Sequence, residues 1–241
     1  NKLYAACVQS YLEELIRQKN VLEFFVEGTR SRSGKLLPPR MGILSAIVQA
    51  WLNGAAEDVL LVPTSLTYES VLEEKSYLEE HAGSEKKSER PLDLVHLVRF
   101  FKKRSGKVYL RFGDPVSLRD WMQEVPVAKK REKVEELALH LTHGINKSSV
   151  VTSKAIAASV LLSHPKRVIA ASEINQQIPP LVDYLRYRGH LLSDTLEKNQ
   201  GLALREAVAG MVKSGLLQEL RDEEGVCYLI PEEKRPLLAY H

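Results

Sequence analysis

The stretch that decides the fold starts at residue 21 and reads Val21-Leu22-Glu23-Phe24-Phe25-Val26. Its β-branched and aromatic side chains predict a buried strand. A polar loop follows over residues 27–40, and an apolar helix is predicted from Gly42 to Leu52. A second strand is predicted from Val59 to Leu66, interrupted by Pro63. Strand, helix and strand in this order predict a βαβ unit with parallel strands and a right-handed crossover.

Two polar side chains come at the ends of these predicted strands. Glu27 follows the first strand, and Ser65 lies at the end of the second. Ligands of such α/β units bind beyond the carboxyl ends of the strands. Glu27 and Ser65 are therefore expected at one shared edge, where a ligand would bind.

The apolar spacing predicts further elements on both sides of this unit. They are helices over 3–16, 70–80, 92–101, 117–124, 129–142, 154–163, 173–188 and 202–213, a strand over 107–112, and a hairpin of 216–220 and 226–230. Helices followed by a two-stranded hairpin resemble a winged helix. The composition changes around 144–153, so we expect an α/β part over 1–145 and a small helical, winged-helix-like domain over 146–241.

The composition excludes several classes of protein. The chain has 241 residues, and 44% of them are hydrophobic, which is typical of a globular protein with a core. No apolar run approaches the ~20 residues that a membrane span needs. The net charge of +3 is too small to indicate a nucleic-acid-binding protein. The two cysteines, Cys7 and Cys227, form neither a zinc motif nor a disulfide framework, and a reducing compartment is the simplest interpretation.

The loop after the first predicted strand carries the residues with the clearest chemistry. It bears Arg30, Arg32 and Lys35, with hydroxyl donors at Thr29 and Ser31. Guanidinium groups pair bidentately with phosphate, and backbone N–H groups in a turn add to such a cradle. The pattern therefore indicates a site for an anionic, phosphorylated ligand, while a solvated cationic surface is the alternative. A nucleoside-triphosphate loop is excluded, because Leu36 stands where its hydroxyl residue is required.

Several stretches resemble one family, the glycerolipid acyltransferases, and within it the glycerol-3-phosphate branch. Residues 25–32, Phe-Val-Glu-Gly-Thr-Arg-Ser-Arg, resemble the third block of that family. Residues 61–65, Leu-Val-Pro-Thr-Ser, followed by Tyr68-Glu69, resemble the fourth. The resemblance extends over most of the chain. It includes residues 1–4 after the second block, the strand 108–115, and the stretches 149–167 and 228–240.

The resemblance implies a glycerol-3-phosphate 1-O-acyltransferase of phospholipid biosynthesis. Such an enzyme transfers a fatty acyl group from acyl-CoA or acyl-carrier protein to the sn-1 hydroxyl and yields lysophosphatidate. It needs no metal or other cofactor, and it is expected as a peripheral protein on the cytoplasmic side of the inner membrane. The arginines would hold the phosphate, and Pro63 would lie near the acyl donor or support the pocket floor. The implied substrate-binding residues are Glu27, Gly28, Thr29, Arg30, Ser31, Arg32, Lys35, Pro63 and Ser65.

The family's catalytic histidine and aspartate are not found in this sequence. In the family, a His-x-x-x-x-Asp block supplies the general base that deprotonates the glycerol hydroxyl. Of the seven histidines, none has an aspartate five positions later; His190 has Asp194 four positions later. We therefore expect that the block precedes Asn1 and that the chain alone is an inactive fragment.

Two other functions remain open from the residues. A dihydroxyacetone-phosphate acyltransferase has a nearly identical third block, and nothing in the sequence reads the acceptor's second carbon. The other open function is that of a non-enzymatic interaction module built on the winged-helix-like tail. The tail's helix 202–213 offers only Arg205 and Lys213 as cations, which favours packing against protein over binding nucleic acid.

Two smaller clusters of residues have both a functional and a purely structural interpretation. Five cations lie within residues 99–107, beside Phe100 and Phe101, and they would suit anionic lipid headgroups, an acidic carrier protein or plain solvent. His140 and His143 are three positions apart on a predicted helix, but no further ligand residue lies near them in the sequence, so a metal site is not expected.

Overall fold

The computed structural model describes residues 2–29, 35–69, 107–123, 126–223 and 225–241. The predicted helices over 70–80 and 92–101 fall outside these ranges, as does most of the cationic cluster of residues 99–107. The described residues divide into two compact units. The first unit contains 2–29, 35–65, 110–123 and 126–148, and the second contains 66–69, 107–109, 149–223 and 225–241.

The chain combines helices with short strands. In the described part, the helices are α1 (Lys2–Arg17), α2 (Met41–Leu52), α3 (Leu118–Trp121), α4 (Lys130–Ser148), α5 (Ser153–Ser163), α6 (Ala171–Tyr187), α7 (Asp194–Lys198), α8 (Gln200–Lys213) and α9 (Arg235–Tyr240). The strands are β1 (Leu60–Leu61), β2 (Thr64–Tyr68), β3 (Val108–Phe112), β4 (Val116–Ser117), β5 (Val150–Val151), β6 (Val168–Ala170), β7 (Leu191–Leu192), β8 (Gln218–Asp222) and β9 (Gly225–Leu229).

Most predicted helices that fall in the described residues are present within a few residues of their expected bounds. Local signals account for this agreement. The Thr152 hydroxyl accepts a hydrogen bond from the Ala155 N–H at 3.2 Å and caps α5. Gly54, with φ +81°, follows the end of α2. The helix expected over 117–124 is shorter, since α3 is a single turn.

Helix α4 is longer than the predicted 129–142. It continues through Gly144 to Ser148, so the change in composition near 144 falls inside a helix. The Ser148 hydroxyl donates to the Gly144 carbonyl at 2.9 Å, which satisfies this polar group within the last turn.

The first unit has its own hydrophobic core. Helix α1 packs on α2, and α2 packs on α4. Asn53, just after α2, donates a hydrogen bond to the Glu13 carboxylate of α1 at 2.6 Å. The buried side chains are Ile16, Leu44, Ile47, Val48, Ala50, Ala55, Leu61, Leu118, Met122, Val134, Leu137, Ala138 and Leu141.

The prediction of a buried strand over residues 21–26 is wrong. Residues 20–25 have no regular secondary structure, and Val26 and Glu27 begin a turn. The side chains still alternate: Val21 and Phe25 are 100% and 78% exposed, while Val26 is buried. A strand requires a neighbour to pair its backbone groups, and no described strand pairs with this segment. Residues 21–26 therefore form an extended, unpaired segment with one face against the core.

The parallel βαβ unit is also wrong for the described residues. The predicted strand over 59–66 is divided into β1 and β2 at Pro63, which has no N–H to donate to a sheet. β1 pairs antiparallel with β4, and β2 pairs with β3. Glu27 and Ser65 are thus not placed at a common edge by parallel strand pairing.

The second unit combines helices with small sheets. β6, β9 and β8 form a three-stranded antiparallel sheet, in which β8 and β9 are the predicted hairpin. β5 and β7 form a short parallel pair. Helix α5 packs against α6, α8 and α9. The fully buried large side chains of this unit are Ile156, Leu161, Ile169, Leu196, Met211, Leu216, Leu217, Ile230 and Leu238.

In the described part of the chain, the features that would mark a membrane span or a metal site are absent. None of the helices there is both long and apolar enough to cross a bilayer. No group of three or more His, Cys, Asp or Glu in that part could hold a metal ion. The His140 ring lies 4.8 Å from the Trp121 ring, centroid to centroid, and packs against it.

Candidate functional site

Two hydrogen bonds close the base of the loop that carries the predicted phosphate ligands. The Arg40 N–H donates to the Val26 carbonyl at 2.8 Å. The Leu37 N–H donates to the carboxylate of Glu27, reaching Oε2 at 3.0 Å. Residues 26 and 27 are therefore held to residues 40 and 37 at the two ends of the loop. Glu27, a predicted acceptor-site residue, uses one carboxylate oxygen to hold this loop.

Gly28 makes the turn into the loop possible. Its φ is +64°, a conformation in which L side chains are strained, and its N–H donates to the Phe25 carbonyl at 2.9 Å. A Cβ atom added at this position would lie 3.1 Å from Cδ of Arg40. The Glu-Gly pair of the motif is thus explained by the geometry of the loop base.

The predicted site residues divide into three groups by their position in the structure. Thr29 and Lys35 are exposed on the loop. Pro63 and Ser65 are buried beside β1 and in β2. Arg30, Ser31 and Arg32 lie outside the described residues, so their part in the site stays a prediction.

Pro63 is held between two glycines of the first unit. The Gly113 N–H donates to the Pro63 carbonyl at 2.7 Å. A Cβ atom added at Gly144 in α4 would lie 2.8 Å from Cγ of Pro63, closer than real Cβ contacts. A Cβ added at Gly113 would lie 2.9 Å from the Ser148 hydroxyl. Helix α4 can approach Pro63 this closely because Gly144 has no side chain, and the missing side chain of Gly113 leaves room for the Ser148 hydroxyl.

A polar cluster lies at the end of β2, in the second unit. It consists of Glu69, Lys107, Tyr109, Asp194 and Thr195. The Tyr109 hydroxyl lies 2.6 Å from Oδ1 of Asp194 and 3.1 Å from Oε1 of Glu69. The Lys107 ammonium lies 2.6 Å from Oδ2 of Asp194, and the Thr195 hydroxyl donates to Oε1 of Glu69 at 2.9 Å. The cluster therefore joins the strand pair β2–β3 to the start of α7.

The charges in this cluster shift three pKa values. The hydrogen bond from Lys107, followed by that from Tyr109, holds the pKa of Asp194 well below its usual range. The same hydrogen bond raises the pKa of Lys107. Burial, followed by the hydrogen bond to Asp194 and the Glu69 charge, raises the pKa of Tyr109. At neutral pH the cluster thus holds an aspartate, an ammonium and a neutral phenol.

Sequence reasoning missed most of this cluster. In the sequence, Glu69 belongs to the fourth-block resemblance, and Asp194 stands four positions after His190, one short of the family spacing. Tyr109 and Asp194 are 85 positions apart, and Glu69 and Thr195 are 126 apart. No local spacing signals contacts over such separations. The alternation within β3 was misleading, because it puts Val108, Leu110 and Phe112 on the apolar face, whereas in the structure Tyr109 is less exposed than the other residues of the strand.

A second acid with a structural role is Asp58, which was not singled out in the sequence. Its carboxylate accepts hydrogen bonds from the Val59 N–H at 2.8 Å, the Ser117 hydroxyl at 2.7 Å and the Arg119 N–H at 3.0 Å. It thereby ties β1 to the beginning of α3 in the first unit.

Two family models match the chain. Residues 77–241 match the model described as the glycerol-3-phosphate acyltransferase C-terminal region. Residues 1–67 match the model described as acyltransferase. The first model includes every member of the polar cluster except Glu69, and the second includes all predicted substrate-binding residues.

Curated relatives match along the whole chain. A glycerol-3-phosphate acyltransferase of Pseudomonas putida (strain W619) is 30% identical over 254 residues, covering 100% of this chain and 30% of that protein. The protein of the same name from Pseudoalteromonas atlantica is 30% identical, covering 100% of the chain and 31% of the relative. One from Alteromonas mediterranea is 34% identical over 77% of the chain. The chain thus spans about 30% of the length of the first two relatives.

Proposed function

Because the chain belongs to the glycerol-3-phosphate acyltransferase family, we propose that it forms the acceptor-holding part of an enzyme that acylates glycerol-3-phosphate at its sn-1 hydroxyl. The observation that carries this proposal is that both family models match this one chain. Its Glu-Gly-Thr-Arg-Ser-Arg stretch begins at Glu27, whose carboxylate accepts the hydrogen bond that closes the base of the loop.

The proposed reaction is a direct acyl transfer. The glycerol hydroxyl oxygen attacks the thioester carbonyl of acyl-CoA or acyl-carrier protein and forms a new ester bond. The carbon–sulfur bond breaks, and the proton removed from the hydroxyl ends on the thiol that leaves. The base for this step is the histidine of a His-x-x-x-x-Asp block, which is absent from these 241 residues. The chain's own residues bind and orient the acceptor.

The loop residues have distinct roles in this proposal. Arg30 and Arg32 pair with the phosphate of glycerol-3-phosphate, aided by Thr29, Ser31 and Lys35. Glu27 and Gly28 set the loop base, as their hydrogen bond and positive φ support.

Pro63 and Ser65 form the floor of the pocket in this proposal. Both are buried, which suits a supporting role better than direct contact with a large acyl donor.

The domain organisation and the cellular setting also belong to this proposal. In this proposal the acyltransferase domain comprises residues 1–145 and is followed by a C-terminal domain over 146–241, and helix α4 carries the chain across this boundary to Ser148. Helices α5, α6 and α8 with the sheet β6–β9–β8 support a winged-helix-like form for that domain. We also propose peripheral association with the cytoplasmic face of the inner membrane, because the lipid product has to enter a bilayer.

A transfer assay on the complete natural protein tests this function. The protein is presented with a long-chain acyl-CoA and, in parallel, glycerol-3-phosphate or dihydroxyacetone phosphate. We expect lysophosphatidate from glycerol-3-phosphate at a kcat/KM at least tenfold above that for the ketone acceptor. A preference for dihydroxyacetone phosphate would favour the alternative enzyme, and no transfer with either would favour an interaction module.

A further inference from the structure

At the centre of the polar cluster, the Tyr109 hydroxyl has one proton to donate and faces two carboxylates. Tyr109 Oη lies 2.6 Å from Asp194 and 3.1 Å from Glu69. A phenol donates one hydrogen bond, so only one of these contacts can hold the proton fully. The shorter distance assigns the proton to Asp194. The Glu69 oxygen then depends on Thr195, which donates to it at 2.9 Å.

Both carboxylate oxygens and the backbone N–H of Glu69 form hydrogen bonds within the protein. Its Oε1 accepts from the Thr195 hydroxyl, and its Oε2 lies 3.2 Å from the Lys107 N–H that donates to it. Its own N–H donates to the Lys107 carbonyl at 2.9 Å. A carboxylate with both oxygens engaged in this way holds backbone and side chains in place.

The elements joined by these contacts bear on the proposed site. Glu69 directly follows β2, the strand that begins at Thr64, just after Pro63, and contains Ser65. Lys107 directly precedes β3, Tyr109 lies in that strand, and Asp194 and Thr195 begin α7. Within the second unit, the beginning of α7 thereby holds Glu69, the residue that directly follows β2.

We propose that Glu69, Tyr109 and Asp194 are positioning residues that fix the end of β2 for substrate binding, and that the fourth-block acid Glu69 acts on the protein and not on the substrate. This inference rests on the proposed function for its link to the substrate. Its structural part, the holding of β2 and β3, stands without it.

Replacement of Glu69 by glutamine, which is uncharged and of similar shape, separates a positioning role from a substrate-binding role. In Glu69→Gln, the amide oxygen can accept from the Lys107 N–H, and the amide nitrogen can donate to the hydroxyls of Tyr109 and Thr195. Both hydroxyls can accept, so the cluster remains satisfied with one negative charge fewer. Glu69→Gln is therefore expected to keep the wild-type order and kinetics, whereas Glu69→Ala and Tyr109→Phe lose contacts and loosen the strand.

The experiment uses the complete natural protein and two readouts. Hydrogen–deuterium exchange is measured on peptides that cover the ends of β2 and β3, and steady-state kinetics are measured with glycerol-3-phosphate. For Tyr109→Phe and Glu69→Ala we expect exchange in those peptides to be about tenfold faster. We expect kcat/KM to fall roughly threefold to tenfold, mainly through a higher KM for glycerol-3-phosphate. The matched control is Tyr187→Phe, because Tyr187 is 87% exposed on α6.

Three outcomes overturn the inference. Unchanged exchange in Tyr109→Phe would show that the cluster does not hold the strand. A loss of activity in Glu69→Gln as large as that in Glu69→Ala would show that the carboxylate charge itself is needed. Faster exchange with unchanged kinetics would remove the link to substrate binding. If the wild-type protein transfers no acyl group, the proposed function fails, and the exchange data still decide whether the cluster holds β2.

Discussion

The carboxylate of Glu27 accepts a hydrogen bond from the Leu37 N–H at 3.0 Å, across the loop that carries the predicted phosphate ligands. The acid of the Glu-Gly-Thr-Arg-Ser-Arg stretch is therefore part of the loop's own closure. This contact gives a structural reason for an acid at that position, which sequence comparison alone attributes to the substrate site.

Removing the Glu27 carboxylate should open the loop base. In Glu27→Ala the Leu37 N–H loses its acceptor, and we expect its amide exchange to be about tenfold faster, as for the loss of roughly 1–1.5 kcal/mol. Glu27→Gln retains an acceptor oxygen and should leave the exchange close to wild type. Glu23→Ala, at an exposed position of the preceding segment, is the control. Equal exchange in Glu27→Ala and Glu23→Ala would contradict the role assigned to this contact.

The close approach of Gly144 to Pro63 gives a second prediction. Gly144→Ala places a methyl group 2.8 Å from Cγ of Pro63, and overpacking of this kind costs about 1–3 kcal/mol. Gly210→Ala in α8 is a matched control, because an added Cβ there meets nothing within 4 Å. That control should stabilise the protein by about 0.5–1 kcal/mol through helix propensity. Thermal unfolding of both variants checks the prediction, and a stabilising Gly144→Ala would refute it.

Local signals explain how much of the fold the sequence predicts. Helices α2, α5, α6 and α8 were predicted closely because their apolar spacing and caps lie within the helix or next to it. The segment 21–26 failed because a strand depends on a partner that composition does not reveal. Strands β5, β6 and β7 have only two or three residues each, which is too short for an alternating pattern to be seen.

For the candidate site as well, local features are predictable from the sequence and long-range contacts are not. The loop motif was evident from the sequence because its residues are contiguous. The polar cluster of Glu69, Tyr109 and Asp194 was not, because it forms only when residues more than 80 positions apart are brought together. The glycines around Pro63 were also missed, since a close backbone approach leaves no spacing signal in one sequence.

Asp58 should make stability depend on pH. Burial acts to raise the pKa of Asp58. Hydrogen bonds from the Arg119 N–H, the Ser117 hydroxyl and the Val59 N–H outweigh burial and hold this pKa below its usual range. The stability from a lowered pKa is fully present above the unfolded value of about 3.9, and it is lost as pH falls through the folded pKa.

The Asp58→Asn variant tests this pH dependence. We expect it to be less stable than wild type by about 1 kcal/mol near neutral pH. The difference should shrink as pH falls below the unfolded pKa of about 3.9 and through the lower folded pKa of Asp58. Denaturant unfolding of both proteins across this range is the measurement. Asp120→Asn is the control, since the Asp120 side chain is largely exposed. A difference that stays constant down to about pH 2 would contradict the assignment.

The measurement that tests the central claim most directly is the KM for glycerol-3-phosphate in the Arg30→Ala variant of the complete natural protein. If the loop holds the acceptor's phosphate, losing one charge-assisted contact should raise this KM roughly tenfold or more, with the KM for the acyl donor unchanged. Arg17→Ala is the control, because Arg17 ends α1 and pairs with Glu14 on its exposed face. An unchanged KM and kcat in Arg30→Ala would contradict the account.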